Sequence, residues 1–306
     1  MKNLYKLMSD NLFPIFIVAI VLGYFFPLTP TSNLKTLVVM FFGYMTFATG
    51  LATSFREFLK VARAPKMPLY ILTIVHVATP IIAWIMGKLF FPDHPLIQIG
   101  YLITASIPVA VTSVIWTSIA HGNVPVALVT VTADTLITPA LMPLILFIAV
   151  GVSVSIDYSK IIIDLLFMIT LPSLVGMLLY DATDGKTLVF AHGLGGILSR
   201  IAYFGVIFLS AAFVAPTISW NPFIVKILLV TISIVIIGYS VGFLAAKLIR
   251  ADRELMIAIV YNTGMRNIAT GLVVAANYFP PETAIPISLA LLLQQPVAAL
   301  IAKSLR

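Results

Sequence analysis

A single arginine lies deep in an apolar segment of this chain, where a fixed charge is costly. Arg266 stands within the apolar run 255–277, two residues after Gly264. On insertion scales a central arginine costs about 2.5 to 3.5 kcal/mol, so such a residue marks a site by default. Gly264 can interrupt a helix at the same point and expose backbone amides and carbonyls. We therefore expect a functional site around Arg266.

Polar residues cluster around Gly264 and around a second helix-breaking residue, Pro108. They are Ser106, Thr112, Ser113, Thr117, Asn262, Thr263 and Asn267. The first turn of a half-helix offers amides to an anion, whereas carbonyl ends and side-chain oxygens suit a cation. A lone Ser or Thr in a membrane helix often bonds only to its own backbone. The asparagines cost more to bury and are stronger candidates for a ligand site.

Two more ionisable residues, Asp134 and His76, lie within apolar segments. Asp134 is the natural counter-charge for Arg266. If the two touch, the pair braces the packing; if they are separated, Arg266 is free for an anionic substrate and Asp134 for a cation or a proton. His76 either hydrogen-bonds to a neighbouring helix or moves protons. Asp164 is expected at the membrane interface, without a functional role.

Composition places these residues in a membrane. Of the 306 residues, 61% are hydrophobic and 9% are charged, and the mean hydropathy is +1.11. A bilayer span needs roughly 20 apolar residues. The predicted spans are 12–27, 36–53, 67–90, 96–120, 124–150, 159–180, 196–216, 223–249, 255–278 and 284–303. The chain is therefore predicted to be an all-α polytopic membrane protein.

The positive charges predict how the chain crosses the membrane. With the N-terminus inside, 13 of the 18 lysines and arginines fall on the inner side. They are Lys2, Lys6, Arg56, Lys60, Arg63, Lys66, Lys186, Arg200, Lys247, Arg250, Arg253, Lys303 and Arg306. Because positive loops stay cytoplasmic, we expect a plasma (inner) membrane protein with both termini in the cytoplasm. The chain has no cysteine, which excludes disulfides and thiolate metal sites.

The spans divide into two halves of five, and an odd number per half inverts the second half. Helix interruptions recur at matching places: 31 positions separate Pro108 from Pro139, and 32 separate Gly264 from Pro296. Paired interruptions in inverted halves point to a substrate and ion site at mid-membrane. Alternatively, each proline or glycine only kinks its helix. The second half-helices are expected to begin near Pro108 and Met265.

Four stretches resemble the bile acid sodium symporter family. They are 107–113, 121–124, 135–143 and 264–267, and the similarity runs in order over nearly the whole chain. The resemblance implies ten transmembrane helices in two inverted five-helix repeats, with helices 4 and 9 unwound and crossing. It also implies a panel domain, approximately 12–53 and 159–216, and a core domain, approximately 67–150 and 223–305.

The resemblance implies a function as well. In that family two sodium ions bind behind the crossing point, and an organic anion such as a bile acid, a pantoate-like acid or pyruvate sits between panel and core. We therefore predict a secondary active transporter of an organic anion that works by alternating access, and not an enzyme. The residues predicted to bind the substrate are Thr112, Ser113, Arg266 and Asn267. The expected partners are the small anion and membrane lipid, with no nucleic acid, no obligate protein partner and no cofactor.

Few of the residues that bind sodium in this family are present at the corresponding positions of this chain. The resemblance places a first site at Ser113, Val114, Ala127, Val131 and Asn262, where only Ser113 keeps the family residue. It places a second site at Val75, Asn262, Thr263, Met265 and Arg266. Hard cations need several oxygen ligands, and neither set supplies enough. The residues predicted to couple an ion, or to replace one, are His76, Ser113, Asp134, Asn262, Thr263, Met265 and Arg266, with Ser113 and Asn262 as the remaining sodium candidates.

Arg266 suggests how a sodium ion could be replaced. Its guanidinium is always protonated and presents five donors, so it could occupy the second sodium site as a tethered cation that Asp134 helps to neutralise. Sodium coupling would then be weakened or absent, and transport would be driven by protons or uncoupled. Binding of the substrate carboxylate by Arg266 is the competing interpretation. Efflux similar to that of the arsenite exporters is a further alternative, although those proteins depend on a cysteine.

Overall fold

The computed structural model describes residues 8, 12–56, 59, 66–151, 157–217 and 221–304, and each predicted span contains a helix or a pair of helices. The helices are α1 (Leu12–Phe25), α2 (Ser32–Gly50), α3 (Lys66–Phe90), α4 (Pro95–Ser106), α5 (Thr112–Ile119), α6 (Val124–Val150), α7 (Tyr158–Ala182), α8 (Thr187–Ala191), α9 (Leu194–Val214), α10 (Pro222–Leu248), α11 (Arg253–Gly264), α12 (Ile268–Tyr278) and α13 (Ala284–Ser304). Two of them contain a π-helical turn, Ile74–Ala78 in α3 and Leu166–Thr170 in α7.

The long apolar helices identify a membrane protein. In the described part of the chain, six helices have the length and composition to cross a membrane: α3, α6, α7, α9, α10, and α13 together with the preceding 3-10 turn Pro281–Thr283. Two shorter helices, α4 and α12, are also apolar. The chain is therefore an all-helical, multi-pass membrane protein. The predicted inner residues Lys2, Lys6, Lys60, Arg63 and Arg306 lie outside the described residues.

Two apolar segments are each divided into a pair of helices. The first divides between α4 and α5, at residues 107–111, where Pro108 lacks the N–H that a continuous helix needs. The second divides between α11 and α12, at residues 265–267. Gly264 ends α11 against the ring of Tyr239; a Cβ at Gly264 would lie 2.3 Å from a ring carbon, so the contact requires glycine.

The second half-helices begin later than the sequence predicted. They start at Thr112 and Ile268, and not near Pro108 and Met265. The delay arises because residues between each pair of helices form backbone hydrogen bonds with the other break instead of continuing a helix. The predicted interruptions at Pro139 and Pro296 are wrong, because these prolines lie within the uninterrupted helices α6 and α13.

The helices pack in two groups. In the first group α9 packs against α1 and α2, and α7 packs against α2. The contact between α2 and α7 is close because it involves glycines: a Cβ on Gly50 would lie 2.4 Å from the carbonyl oxygen of Ser173. In the second group α10 packs against α11 and α13, α4 against α3 and α13, and α5 against α6 and α11. Contacts of α12 with α2 and α9, and of α6 with α7, join the groups.

Candidate functional site

The two helix breaks lie side by side and pair as a short antiparallel bridge. Val109 and Arg266 face each other in this bridge. Two backbone hydrogen bonds flank the pair, from the amide of Ala110 to the carbonyl of Met265 (3.1 Å) and from the amide of Asn267 to the carbonyl of Pro108 (2.7 Å). The breaks therefore satisfy part of each other's freed backbone, as buried polar groups require.

A glutamine from α13 completes the backbone pairing of Arg266. The Oε1 atom of Gln294 accepts from the amide of Arg266 at 2.7 Å, and its Nε2 donates to the Arg266 carbonyl at 3.0 Å. The side-chain amide of Gln294 thus takes the place of a neighbouring strand. The backbone of Arg266 is fixed from both sides, by Val109 and by Gln294.

The guanidinium of Arg266 is held inside the protein by groups on α3. Its Nη2 donates to the hydroxyl of Thr79 at 2.6 Å and to the carbonyl of Val75 at 3.2 Å. The residue is 6% exposed. Within the described residues its Nη1 has no hydrogen-bond partner, and Arg266 borders a cavity of about 40 Å³. A cavity of this size accommodates water but not an organic anion.

The carbonyl of Val75 can accept from Arg266 because the local helix geometry gives it no backbone N–H donor. The π-helical turn shifts the amide of Thr79 to the carbonyl of Ile74, so Val75 loses its usual donor four residues on. The next donor would come five residues on, at Pro80, which has no N–H. The carbonyl of Val75 accepts instead from the Thr79 hydroxyl at 2.8 Å and from Arg266.

Asp134 is fully buried on α6 and binds three groups. Its Oδ1 lies 2.5 Å from Nε2 of His76 and accepts from the Thr138 hydroxyl at 2.7 Å, while its Oδ2 accepts from the Val109 amide at 2.6 Å. From the sequence, Asp134 and Arg266 could either form a pair or lie apart, and in the structure they do not pair. Asp134 pairs with His76, and no ion pair with Arg266 occurs among the described residues.

Ser113 and Asn262, the remaining sodium candidates, bind each other. The Ser113 hydroxyl donates to Oδ1 of Asn262 at 2.9 Å, and Nδ2 of Asn262 donates to the Ala258 carbonyl at 3.0 Å. Thr263 follows Asn262 in the chain. Its hydroxyl is buried and has no hydrogen-bond partner in the described part of the chain. The described residues also contain no cluster of three His, Cys, Asp or Glu side chains that could hold a metal.

Thr112 and Asn267 are half-buried at the starts of the second half-helices. The Thr112 hydroxyl accepts from Nε2 of Gln295 at 3.4 Å, and Oε1 of Gln295 accepts from the Trp116 indole at 2.9 Å. Asn267 occupies the N-cap position of α12, but its side chain makes no capping hydrogen bond. The four predicted substrate residues therefore divide into a buried pair, Ser113 and Arg266, and a more accessible pair.

A larger cavity, of about 440 Å³, lies among α2, α7 and α12. It is lined by Thr36, Val39, Met40, Gly43, Lys160, Asp164, Phe167, Met168, Asn277 and Tyr278. Its volume falls within the range of small-molecule sites. The carboxylate of Asp164 accepts from the Tyr278 hydroxyl at 2.8 Å, whereas Lys160 forms no ion pair within the described residues. None of the four predicted substrate residues lines this cavity.

Sequence reasoning missed four of these residues. Thr79 and Gln294 fix Arg266, and a polar residue within an apolar span was the signal in each case. Lys160 and Asp164 line the large cavity, although Asp164 was expected to have no role. At the end of a span such charges resemble ordinary interfacial residues, so the sequence offered no signal for this cavity.

Comparison with known proteins assigns the family. The sequence profile of the Sodium Bile acid symporter family matches residues 37–220. The chain is 29% identical over 260 residues to the uncharacterized protein YbaS of Bacillus subtilis strain 168, covering 85% of each chain. It is 26% identical over 276 residues to the uncharacterized sodium-dependent transporter YocS of the same organism, covering 88% of this chain and 83% of the relative. The family and the description of YocS indicate a transporter rather than an enzyme. The chain belongs to the sodium bile acid symporter family.

Proposed function

We propose that this protein is a secondary active transporter of an organic anion that works by alternating access. The antiparallel pairing of two helix breaks, with polar side chains around both, is the observation that carries the proposal. Discontinuous membrane helices at matching places in inverted repeats form the substrate and ion sites of many transporters. In this proposal the chain crosses the membrane ten times in two inverted halves. Helices 4 and 9 of the ten are the divided pairs α4–α5 and α11–α12.

The two packing groups support a division into panel and core. The first group contains α1, α2, α7 and α9, and the second contains the divided helices with α3, α6, α10 and α13. In our proposal the groups move relative to each other. The cavity of about 440 Å³ supports this arrangement, because α2 and α7 line one side of it and α12 lines the other.

This cavity supplies a positive charge for an anionic substrate. Lys160 lines it together with apolar residues such as Met40 and Phe167, and the acidic Asp164 already accepts a hydrogen bond from Tyr278. We propose that Lys160 attracts the substrate anion at the outer end of the pathway. Thr112 and Asn267 would contact the substrate at the crossing point, whereas the contacts of Ser113 and Arg266 favour roles inside the core.

The contacts of Arg266 support its action as a tethered cation. Its guanidinium binds the carbonyl of Val75, a position that the family resemblance assigns to the second sodium site. Unlike a sodium ion, a side chain cannot leave after each cycle. We propose that this chain does not use a second sodium ion, and that sodium coupling through Ser113 and Asn262 is weak because these groups supply few oxygen ligands. We place the protein in the plasma (inner) membrane with both termini cytoplasmic.

Transport is tested with purified protein in liposomes. Labelled taurocholate, pantoate and pyruvate serve as probes, and counterflow is measured in liposomes loaded with the same unlabelled anion. We expect saturable counterflow of at least one of these anions, and accumulation that differs little between sodium and potassium media. Absence of counterflow for all three anions would contradict the proposed substrate class. Strict dependence of counterflow on sodium would contradict the assigned role of Arg266.

A further inference from the structure

Contacts between the two packing groups are concentrated on one side of the protein, the side that we propose to be outer. The contact of α6 with α7 involves residues 158–170, in the first half of α7. The outer half-helix α12 also packs against α2 and α9 of the first group. The inner half-helices α5 and α11 have their main contacts within their own group, with α6, α10, α13 and each other. The structure therefore holds the two groups together at the outer side.

A hydrogen bond between two side chains joins the groups at this side. The hydroxyl of Tyr278, the last residue of α12, donates to the Oδ2 atom of Asp164 on α7 at 2.8 Å. Both residues are half-buried and line the cavity of about 440 Å³. Hydrogen bonds to a charged group are roughly twice as strong as those between neutral groups. Opening of the outer side moves α12 away from α7 and breaks this bond.

Lys160 lies one helical turn before Asp164 on α7. Residues four positions apart are neighbours on the surface of a helix, so these two side chains leave α7 on the same side. Lys160 nevertheless forms no ion pair within the described residues, and Asp164 binds Tyr278 instead. When Tyr278 moves away, the carboxylate loses this donor, and Lys160 is the neighbouring cation that can replace it. Tyr278 and Lys160 therefore compete for Asp164.

We propose that the bond between Tyr278 and Asp164 is the outer gate of the transport pathway, and that an anion bound at Lys160 favours the closed gate. An anion that occupies Lys160 removes the competitor of Tyr278 for the carboxylate. Closure in turn leaves Lys160 free for the anion, so each event favours the other. This proposal rests on the proposed function, because a gate requires a transported substrate. It adds a regulating pair of residues to the cavity described there.

The gate is tested without substrate by labelling a cysteine behind it. The natural chain has no cysteine. Met168 lines the cavity four residues after Asp164 and is 4% exposed. In intact cells, a thiol reagent that does not cross membranes should therefore label Met168→Cys only in molecules whose gate is open. Adding Tyr278→Phe should raise the rate of labelling roughly tenfold, because one hydrogen bond to a charged group is lost from the closed state.

Tyr44→Phe is the matched control for Tyr278→Phe. The hydroxyl of Tyr44 donates to the carbonyl of Gly195 at 3.0 Å, and both residues belong to the first packing group. Its removal should leave the rate of labelling unchanged. Asp164→Asn should raise the rate less than Tyr278→Phe does, because asparagine keeps an acceptor oxygen for Tyr278. Equal rates of labelling with Tyr278 and with phenylalanine at this position would overturn the gate.

The effect of the anion is tested with the same cysteine and with taurocholate, pantoate or pyruvate, whichever shows counterflow. The anion should slow the labelling of Met168→Cys several-fold more when Tyr278 is present than in Tyr278→Phe, and the slowing should be lost in Lys160→Ala. Equal slowing with and without Tyr278 would mean that the anion only blocks the reagent, which overturns its effect on the gate. Absence of counterflow for all three anions contradicts the proposed substrate class and the anion effect with it, whereas the labelling rates without substrate still decide the gate.

Discussion

The guanidinium of Arg266 donates to the carbonyl oxygen of Val75, an oxygen that receives no backbone N–H from its own helix because the amide of Thr79 bonds to Ile74 and Pro80 has no N–H. This relationship explains how a fixed charge is accommodated at such depth. The π-helical turn of α3 and the proline that follows it create an acceptor, and the break after Gly264 brings the cation to it. A carbonyl and a hydroxyl, supplied by Val75 and Thr79, are also the kind of oxygen ligands that suit a small cation.

Replacing Asp134 by asparagine should destabilise the fold. The change removes the charge that binds the imidazole of His76 and the amide of Val109. Leaving a buried donor without its acceptor costs about 1–3 kcal/mol, and we expect a loss near the lower limit because asparagine retains one acceptor oxygen. Unfolding of the purified variant measures the loss. Thr132→Ala is the matched control on the same helix, because the hydroxyl of the half-buried Thr132 donates within the described residues only to the carbonyl of Leu128, on its own helix.

Replacing Gln294 by alanine should also destabilise the protein, and more than the same change at Gln295. The first change leaves the amide and the carbonyl of Arg266 without their side-chain partner in a buried place. Each unpaired buried group costs about 1–3 kcal/mol. Gln295 is half-buried, and its partners Trp116 and Thr112 are partly accessible. Equal melting temperatures for the two variants would refute this account of Gln294.

Replacing Lys160 by alanine should weaken uptake of the anion without changing its maximal rate. The side chain lines the large cavity and has no ion pair in the described residues. An exposed charge pair is worth about 1 kcal/mol, so we expect KM to rise roughly fivefold. Lys160→Glu should raise it further. Lys88→Ala is the control, because Lys88 stacks on the ring of Trp84 on α3 and does not line the cavity. Unchanged KM in Lys160→Glu would rule out Lys160 as an anion-binding group.

The predicted topology can be tested because the natural chain has no cysteine. A cysteine placed at Val189, which is 71% exposed, should be cytoplasmic, whereas one placed at the exposed Asp93 should face outward. A thiol reagent that does not cross membranes should therefore label Asp93→Cys in intact cells and Val189→Cys only after lysis. The opposite pattern would show that the positive residues do not set the orientation of this protein.

The sequence anticipated the helices far better than the contacts of the site. Hydropathy located the described apolar helices within a few residues of their bounds, because a helix that crosses a membrane needs a long apolar surface. Pro108 and Gly264 indicated the breaks because each has an effect on the backbone that does not depend on tertiary structure. The start of the second half-helices was predicted too early, since pairing between two distant breaks decides where each one ends.

The partners of the buried charges could not be read from the sequence. Arg266 and Asp134 were considered as a pair because they are opposite charges in a membrane. Whether their side chains meet depends on how α3, α6 and the two breaks are rotated relative to one another. His76 takes the carboxylate, and Thr79 takes the guanidinium. Periodicity does not determine such rotations, because these spans are apolar on most of their faces.

The replacement of a sodium ion by Arg266 is tested most directly by the thermal stability of the purified protein in sodium and in potassium at constant ionic strength. A ligand that binds only the folded state raises the melting temperature. We expect the wild-type protein to melt at the same temperature in both salts. Arg266→Gln, which removes the tethered cation and supplies an amide oxygen in its place, should melt at a higher temperature in sodium. Stabilisation of the wild-type protein by sodium, unchanged in Arg266→Gln, would contradict the account.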